Sequence, residues 1–300
     1  MVPTTHPHIH IGITVGDPAG IGPEIVRHAL ASPLLDRGAT FEILGDHGAS
    51  RPGQPTPEGA ECALAALESA AAGALEGRFH AIVTGPIHKA LMRTAGFAFP
   101  GQTEFFAKRW GAAEHAMCLT GGSLTVALVT AHVPYASVPA LLTPEKIAST
   151  GRLLSSFLRL RLGRRPRIAV AGLNPHAGES GLLGTEEQGS IASGVARLLE
   201  SCDADVSGPW PPDTLFYRAV NGDFDGVVCM YHDQGLIPLK LHAFHEGVNV
   251  TLGLPYPRTS PDHGTAFELA EKGGANPSSM LAALNLAAEL ARKGSLFSVR

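Results

Sequence analysis

Short apolar runs alternate along this chain with longer segments of helical pattern. The apolar runs, each of strand length, cover residues 9–15, 41–44, 80–84, 125–130, 167–173 and 226–231. The helical segments cover residues 23–31, 57–75, 104–112, 144–161, 186–201, 212–220 and 278–293. Alternation of this kind is typical of a mostly parallel sheet with helices on both faces. The pattern therefore predicts an α/β fold, with hinge-like Gly/Pro-containing segments at residues 97–101 and 253–264.

Three of the predicted strands run into a turn that carries a histidine, and these are His132, His176 and His232. Parallel α/β sheets present ligand groups at the carboxyl ends of their strands, so residues distant in sequence can meet there. Three imidazoles at one edge would form a metal site with a coordination position open to substrate. A histidine after a strand is more often an ordinary loop residue, and the chain has 14 histidines. The pattern alone leaves both interpretations open.

Composition narrows the class of function. The 300 residues are 44% hydrophobic, enough for a large core, and 27 acidic against 23 basic residues give a net charge of −4. No basic run with aromatic residues indicates nucleic-acid binding, and no apolar run reaches the length of a membrane span. The four cysteines form no Cys-x-x-Cys pair, and no signal peptide is recognisable. We expect a cytoplasmic protein that acts on small molecules.

Two further segments carry groups suited to anions. Residues 16–24 place glycines and an acid between a strand and a helix, which either brings backbone N–H groups to an anion or makes a tight connection. They contain neither Gly-x-Gly-x-x-Gly nor a Gly-Lys-Ser/Thr loop. Lys240, Asn249 and Arg258 follow at nine-residue intervals. Singly they are usually surface residues, but together they suggest a clamp for a phosphate or carboxylate.

Four long motifs give the chain a specific resemblance. They are Gly-Asp-Pro-Ala-Gly-Ile-Gly-Pro-Glu at 16–24, Asn-Pro-His-Ala-Gly-Glu at 174–179, Tyr-His-Asp-Gln-Gly at 231–235, and the segment from Gly247 to Ala266. In order, and over nearly the whole chain, they closely resemble the 4-hydroxythreonine-4-phosphate dehydrogenase family of pyridoxal phosphate biosynthesis. The resemblance implies an isocitrate/isopropylmalate dehydrogenase-like fold with two α/β/α lobes around a cleft. We accordingly assign residues 1–101 and 267–300 to the first lobe, and residues 102–266 to the second lobe with the metal and substrate site.

The resemblance also implies the composition of the site. The metal ligands would be His132, His176 and His232, with His232 reaching across from the partner subunit of a homodimer. The substrate would be bound by Gln102, Thr103, Lys240, Asn249 and Arg258, and the cofactor by His263, Gly264 and Thr265. Lys240 or Asp233 would move the proton. The implied cofactors are NAD, with NADP as the alternative, and a divalent metal, with zinc preferred over magnesium or cobalt.

The chain departs from the family pattern at three places. Gln102 stands where the family usually has a histidine, and glutamine can hydrogen-bond but cannot carry a proton. His88 stands where an asparagine is more usual, and the stretch between Asp46 and Pro57 is shortened.

The implied reaction is metal-dependent, NAD-linked oxidation and decarboxylation of 4-phosphooxy-threonine to 3-amino-2-oxopropyl phosphate. One alternative is the same chemistry on 4-phosphothreonate or 4-phosphoerythronate. The others are a three-histidine metal hydrolase and a ligand-binding module that has lost turnover.

Overall fold

The structure is a computed structural model that describes residues 8–45 and 50–294. Its strands are β1 (Ile9–Thr14), β2 (Ala39–Leu44), β3 (Ala81–Thr84), β4 (Ala116–Gly121), β5 (Leu124–Leu128), β6 (Arg167–Ala171), β7 (Asp205–Trp210), β8 (Gly226–Cys229), β9 (Val248–Leu252) and β10 (Arg258–Pro261). Its helices are α1 (Gly22–Ala31), α2 (Pro57–Leu75), α3 (Lys89–Thr94), α4 (Gln102–Arg109), α5 (Val138–Leu141), α6 (Pro144–Leu162), α7 (Ala192–Ser201), α8 (Pro212–Val220), α9 (His232–Ala243), α10 (Phe267–Lys272) and α11 (Ser278–Lys293). The predicted α/β class with mostly parallel strands is confirmed.

The chain forms two compact units. The first comprises the described residues of Met1–Ala113, Val248–Val250 and Leu254–Arg300, and the second comprises Glu114–Gly247 and Thr251–Gly253. Residues 46–49, in the segment predicted to be shortened, lie outside the described residues. None of the described helices is long and apolar enough to cross a membrane.

The first unit has strand order β2-β1-β3-β10-β9, in which only β9 is antiparallel to its neighbour. Residues on both faces of β1 are buried, including Ile11, Gly12 and Ile13, as expected of a strand covered on both sides. Helices α2 and α11 pack against this sheet. Both helices have the bounds that the sequence predicts.

The second unit has strand order β4-β5-β8-β6-β7. Strands β5, β8, β6 and β7 are parallel, and β4 pairs with β5 as an antiparallel hairpin. Helix α9 packs on β4 and β5, and α6 packs on β5 and β8. The three central strands are therefore consecutive neighbours although they are far apart in sequence.

The observed units have different boundaries from the predicted lobes. Residues 102–113 belong to the first unit because α4 buries Phe105 and Phe106, both 0% exposed, in that unit's core. Residues 254–266 also belong to the first unit, because β10 pairs with β3. The segment 253–264, predicted as a hinge, thus contains a strand. This strand, β10, reads Arg-Thr-Ser-Pro and has no alternating apolar pattern, so only its pairing with β3 and β9 makes it a strand.

Asp225 forms hydrogen bonds that connect the beginnings of β6 and β8 in the second unit. Its carboxylate accepts hydrogen bonds from the Arg164 guanidinium at 2.6 and 2.8 Å and from the Arg167 backbone N–H at 2.8 Å. Burial raises the pKa of this carboxyl, but the hydrogen bonds from Arg164 and Arg167 outweigh burial and lower the pKa well below its ordinary value. Arg167 opens β6, and Asp225 immediately precedes β8. The interaction therefore helps to hold β6 and β8 in register.

We expect Asp225→Asn to lower the free energy of unfolding by about 2 kcal/mol at neutral pH, because hydrogen bonds to a charged acceptor are lost. The lowered folded-state pKa makes this contribution fully present above the ordinary aspartate pKa of about 4, and it is lost as the pH falls through the folded-state value. Chemical denaturation at pH 7, 5 and 3 measures the effect, with the exposed Glu61→Gln as control. A difference that stays constant down to pH 3 would contradict this account.

Candidate functional site

The three candidate histidines follow neighbouring parallel strands of the second unit. His132 follows β5, His176 follows β6, and His232 follows β8, which lies between the other two strands. The registers pair Leu128 with Cys229 and Val170 with Val228, so the carboxyl ends of the three strands are level. All three histidines therefore lie beyond the same edge of this sheet.

His132 and His232 approach each other at this edge. Their ring centroids are 5.5 Å apart. His232 is the first residue of α9, and its Nδ1 lies 2.6 Å from Oδ1 of Asp233. Because the carboxylate occupies Nδ1, the other ring nitrogen, Nε2, is left to face a ligand. A carboxylate behind an imidazole is the usual arrangement for a metal-binding histidine.

His176 lies in an unusual left-handed turn. Its φ is 52°, and Ala177, Gly178, Glu179 and Ser180 also have positive φ, between 43° and 80°. Left-handed backbone costs roughly 1–2 kcal/mol for each residue other than glycine, so a run of this kind requires compensation from its surroundings. Nδ1 of His176 lies 2.9 Å from Oε2 of Glu179. This imidazole has the same carboxylate arrangement as His232.

Within residues 8–45 and 50–294, no three side chains of His, Cys, Asp or Glu lie close enough together to hold a metal ion. One chain thus brings His132 and His232 together and leaves His176 outside that pair. The resemblance assigns His232 to the site of the partner subunit, whereas in this chain its ring lies beside His132 of the same chain.

Glu187 is a residue of this region that the sequence analysis does not single out. Its side chain is 3% exposed, and its Oε1 accepts the backbone N–H groups of Leu173 and Asn174, both at 2.7 Å. Its Oε2 accepts the Asn174 side-chain amide at 3.1 Å. No sequence motif identifies Glu187 as a site residue. Its contacts form only because it is buried beneath a turn that begins about a dozen residues earlier in the chain.

Arg258 forms the centre of a polar cluster in the first unit. The residue is 3% exposed, and its guanidinium donates from Nε to Oγ1 of Thr84 at 3.1 Å and from Nη2 to Oε1 of Gln102 at 3.2 Å. Burial lowers the pKa of Arg258 to about 10, against the opposing effect of Glu104, so the guanidinium remains charged at neutral pH. Gln102 in turn donates from Nε2 to the Gly85 carbonyl at 3.0 Å. The side chain that replaces the family histidine is therefore an uncharged link between Arg258 and the end of β3.

The other predicted substrate and proton-transfer residues occupy separate places. Thr103 lies in the first turn of α4, and Asn249 lies in β9 with a buried Oδ1 that has no hydrogen-bond partner among the described residues. Lys240 lies on α9 in the second unit, seven residues after Asp233. Seven residues are two helical turns, so Lys240 and Asp233 lie on the same face of α9.

The glycines of segment 16–24 are explained by close packing. Gly16 has a φ of 80°, and a Cβ there would lie 2.1 Å from the Pro86 carbonyl oxygen. A Cβ on Gly22 would lie 1.8 Å from the Val15 carbonyl oxygen. These contacts favour the tight-connection interpretation at both positions. The segment also packs on residue 265, since the Ile21 N–H donates to the Thr265 carbonyl at 2.9 Å.

Near this connection, three buried polar atoms have no hydrogen-bond partner among the described residues: Thr14 Oγ1, Asp17 Oδ2 and His88 Nδ1. Burial raises the pKa of Asp17, although the Ala19 N–H and nearby His88 oppose it. The His88 ring packs edge-on against Phe267 at 5.3 Å, at the start of α10. A cavity of about 620 Å³ opens beside Thr265 and the first residues of α10. Phe267 lines this cavity and contacts the His88 ring, so one of the three unpartnered atoms belongs to a residue next to the cavity wall. Unpartnered buried polar groups near a cavity are typical of a site that binds a polar ligand.

Buried polar clusters and histidines at the strand ends of a parallel α/β sheet are typical of enzyme sites, and comparisons with known proteins identify the family. The family profile described as "Pyridoxal phosphate biosynthetic protein PdxA" matches residues 26–287. A 4-hydroxythreonine-4-phosphate dehydrogenase of Bradyrhizobium diazoefficiens is 48% identical over 334 aligned positions, covering 94% of this chain and 96% of that protein. The corresponding enzyme of Desulfosudis oleivorans is 43% identical, covering 95% and 97%.

A solved structure shows the same fold. The 4-hydroxythreonine-4-phosphate dehydrogenase from Klebsiella pneumoniae superposes with a TM-score of 0.80 at 38% identity, covering 94% of this chain and 99% of that one. The chain is a dehydrogenase-type oxidoreductase. It belongs to the PdxA family of pyridoxal phosphate biosynthetic proteins.

Proposed function

We propose that this protein catalyses the metal-dependent, NAD-linked oxidation of 4-phosphooxy-threonine, followed by decarboxylation to 3-amino-2-oxopropyl phosphate. The observation that carries the proposal is the pair of strand-end histidines, His132 and His232, 5.5 Å apart, in a chain of the PdxA family. Family membership favours a dehydrogenase over a three-histidine hydrolase, because the similar proteins named above are dehydrogenases.

The three histidines are suitable ligands for a divalent cation, and zinc is the preferred candidate. His132 and His232 would hold it together with His176, and Asp233 and Glu179 occupy Nδ1 of His232 and His176. A divalent cation there makes the substrate alcohol easier to deprotonate and polarises the carbonyl that forms, which favours loss of carbon dioxide. Among the described residues, no three His, Cys, Asp or Glu side chains lie close enough together to hold a metal ion. We therefore propose that a second subunit completes the site.

An exposed apolar face on α9 supports a homodimer. Ile237 and Leu241 on α9, and Phe244 immediately after its end in helical conformation, are 66%, 89% and 69% exposed, and their spacing of four and three residues places them on one side. Apolar side chains that are clustered and exposed mark interaction surfaces. We propose that a second copy of the chain covers this face, because the same helix begins with His232 and would bring that residue to the subunit interface.

For proton transfer we propose Lys240, with Asp233 as the group that orients His232. The Asp233 carboxylate is already paired with His232 Nδ1 at 2.6 Å, which suits it to holding the imidazole. Lys240 lies on the same face of α9 and carries an amine, a group that serves as a general acid or base in enzymes.

The phosphate and carboxylate of the substrate would be bound by Gln102, Thr103, Lys240, Asn249 and Arg258. Arg258 is held in place before any substrate arrives, because Thr84 and Gln102 accept its hydrogen bonds. A buried guanidinium that is already fixed can bind an anion with little further loss of conformational entropy.

The cluster at Gln102 favours a second candidate substrate class, 4-phosphothreonate or 4-phosphoerythronate. Gln102 is uncharged at every pH and uses both ends of its amide in contacts with Arg258 and Gly85. It therefore cannot add the positive charge that a protonated histidine would bring to the same place. A site with glutamine at this position has less positive charge than one with a protonated histidine. Its preference among 4-phosphooxy-threonine, 4-phosphothreonate and 4-phosphoerythronate should therefore differ.

The experiment that tests the proposal is a substrate panel followed by NADH absorbance. Protein loaded with zinc, magnesium or cobalt is mixed with NAD or NADP and each of the three phosphorylated acids. We expect NADH formation with one or more of them. Release of phosphate without NAD reduction would indicate a hydrolase, and thermal stabilisation without any product would indicate a binding module.

We propose that NAD binds beside His263, Gly264 and Thr265. The unpartnered polar atoms of Asp17 and His88, and the cavity beside Thr265, support a polar ligand in this part of the first unit.

The matching prediction is that Gly264→Ala raises the KM for NAD at least about 5-fold, because a methyl group would narrow the space for the cofactor. No described atom lies within 4 Å of a Cβ built on Gly264, so the free energy of unfolding should not fall. Gly189→Ala is the matched control, since its Cβ also meets nothing within 4 Å. An unchanged KM for NAD would place the cofactor elsewhere.

A further inference from the structure

The left-handed turn at His176 is anchored at its beginning by one buried carboxylate. Leu173 and Asn174, which lead from β6 into the turn, both donate their backbone N–H groups to Oε1 of Glu187. The Asn174 amide donates to Oε2 of Glu187 and, at 2.8 Å, to Glu186. Two separate oxygens of Glu187 thus fix both the backbone and the side chain of the residue that opens the turn.

Glu187 also packs under the middle of the turn. A Cβ built on Gly178 would lie 2.7 Å from Oε2 of Glu187, so the glycine lets the backbone descend onto the carboxylate. Gly172 approaches the other oxygen, with 3.2 Å between a built Cβ and Oε1. The Glu187 carboxylate therefore packs between Gly172, which precedes the turn, and Gly178, in the middle of the turn. The position of His176 depends on it because a run of left-handed residues has no regular helix or strand to support it.

We propose that Glu187 is a positioning residue for His176: its carboxylate holds the strained turn that sets where the imidazole lies. The inference rests on the proposed function, in which His176 is a metal ligand. Glutamine at position 187 would keep the volume but not the hydrogen bonding. An amide oriented to accept from Leu173 and Asn174 N–H turns its NH₂ group toward the Asn174 NH₂, which also donates.

The test compares Glu187→Gln with His176→Ala and with Glu200→Gln, an exposed acid on α7. The first readout is cobalt affinity of the dimer, measured by the absorption of bound Co²⁺. We expect Glu187→Gln to weaken Co²⁺ binding about 10–100-fold, the range typical for loss of an outer partner of a metal ligand. Glu200→Gln should leave the affinity unchanged.

The second readout needs no metal. In metal-free protein, hydrogen exchange at the Leu173 and Asn174 amides should be at least about 10-fold faster in Glu187→Gln, while amides of β8 keep their protection. A role in general stability alone would accelerate exchange across the whole second unit and leave the Co²⁺ affinity of the folded protein unchanged.

The outcomes separate the inference from the function on which it rests. Weaker Co²⁺ binding in both His176→Ala and Glu187→Gln supports the inference. Weaker binding in His176→Ala alone overturns the role of Glu187 and leaves the proposed function standing. Unchanged affinity in His176→Ala contradicts the proposed metal site itself, and the inference falls with it.

Discussion

On the proposed function, replacing His176 with alanine is expected to abolish turnover and to lower the metal content of the protein while leaving the proposed homodimer folded. The imidazole is exposed at the carboxyl edge of the second unit's sheet, so its removal leaves no cavity in the core. Losing one of the three proposed ligands should weaken metal binding by orders of magnitude, because the proposed site would then have only two protein donors. Metal analysis by mass spectrometry and NADH formation on the same sample measure both effects.

The control for this variant is His28→Ala, which removes an exposed imidazole from α1 in the first unit. It should keep the metal content and the turnover of the unmodified protein. Full activity with a full complement of metal in His176→Ala would remove His176 from the site. If the unmodified protein is a dimer, as proposed, a monomeric His176→Ala protein would instead show that the turn contributes to the proposed subunit interface.

Arg258→Ala is expected to raise the KM for the phosphorylated substrate at least about 100-fold, because a buried charged donor to an anion is typically worth several kcal/mol. It should also lower the free energy of unfolding by about 2–4 kcal/mol, since it leaves Thr84 and Gln102 without a donor in a buried environment and opens a cavity. Steady-state kinetics and urea denaturation measure the two effects separately.

Arg258→Lys distinguishes substrate binding from stability. Lysine keeps the charge but lacks the planar fork that contacts Thr84 and Gln102 together, so KM should rise while much of the stability is retained. Arg27→Ala, an exposed arginine on α1, is the surface control. A KM in Arg258→Lys and Arg258→Ala equal to that of the unmodified protein would exclude Arg258 from substrate binding.

The sequence predicts elements well where one local pattern decides them. Helix α2 has a threonine as its N-cap and a proline as its first residue, and its predicted bounds agree with the structure. Strand β10 is the opposite case, because its four residues have no apolar pattern and become a strand only through pairing with β3 and β9. The compact units differ from the predicted lobes at the same places, since α4 and β10 join the first unit by packing.

By itself the sequence determined the α/β class, the strand-end positions of His132, His176 and His232, and the family, because these depend on local periodicity and on contiguous motifs. Only the tertiary structure decided that β8 lies between β5 and β6 and that Glu187 is buried under the turn of His176. The tertiary structure also decided that Gln102 accepts a hydrogen bond from Arg258, which lies 156 residues further along the chain. Strand order and side-chain partners depend on which distant segments exclude water together, and no local pattern carries that information.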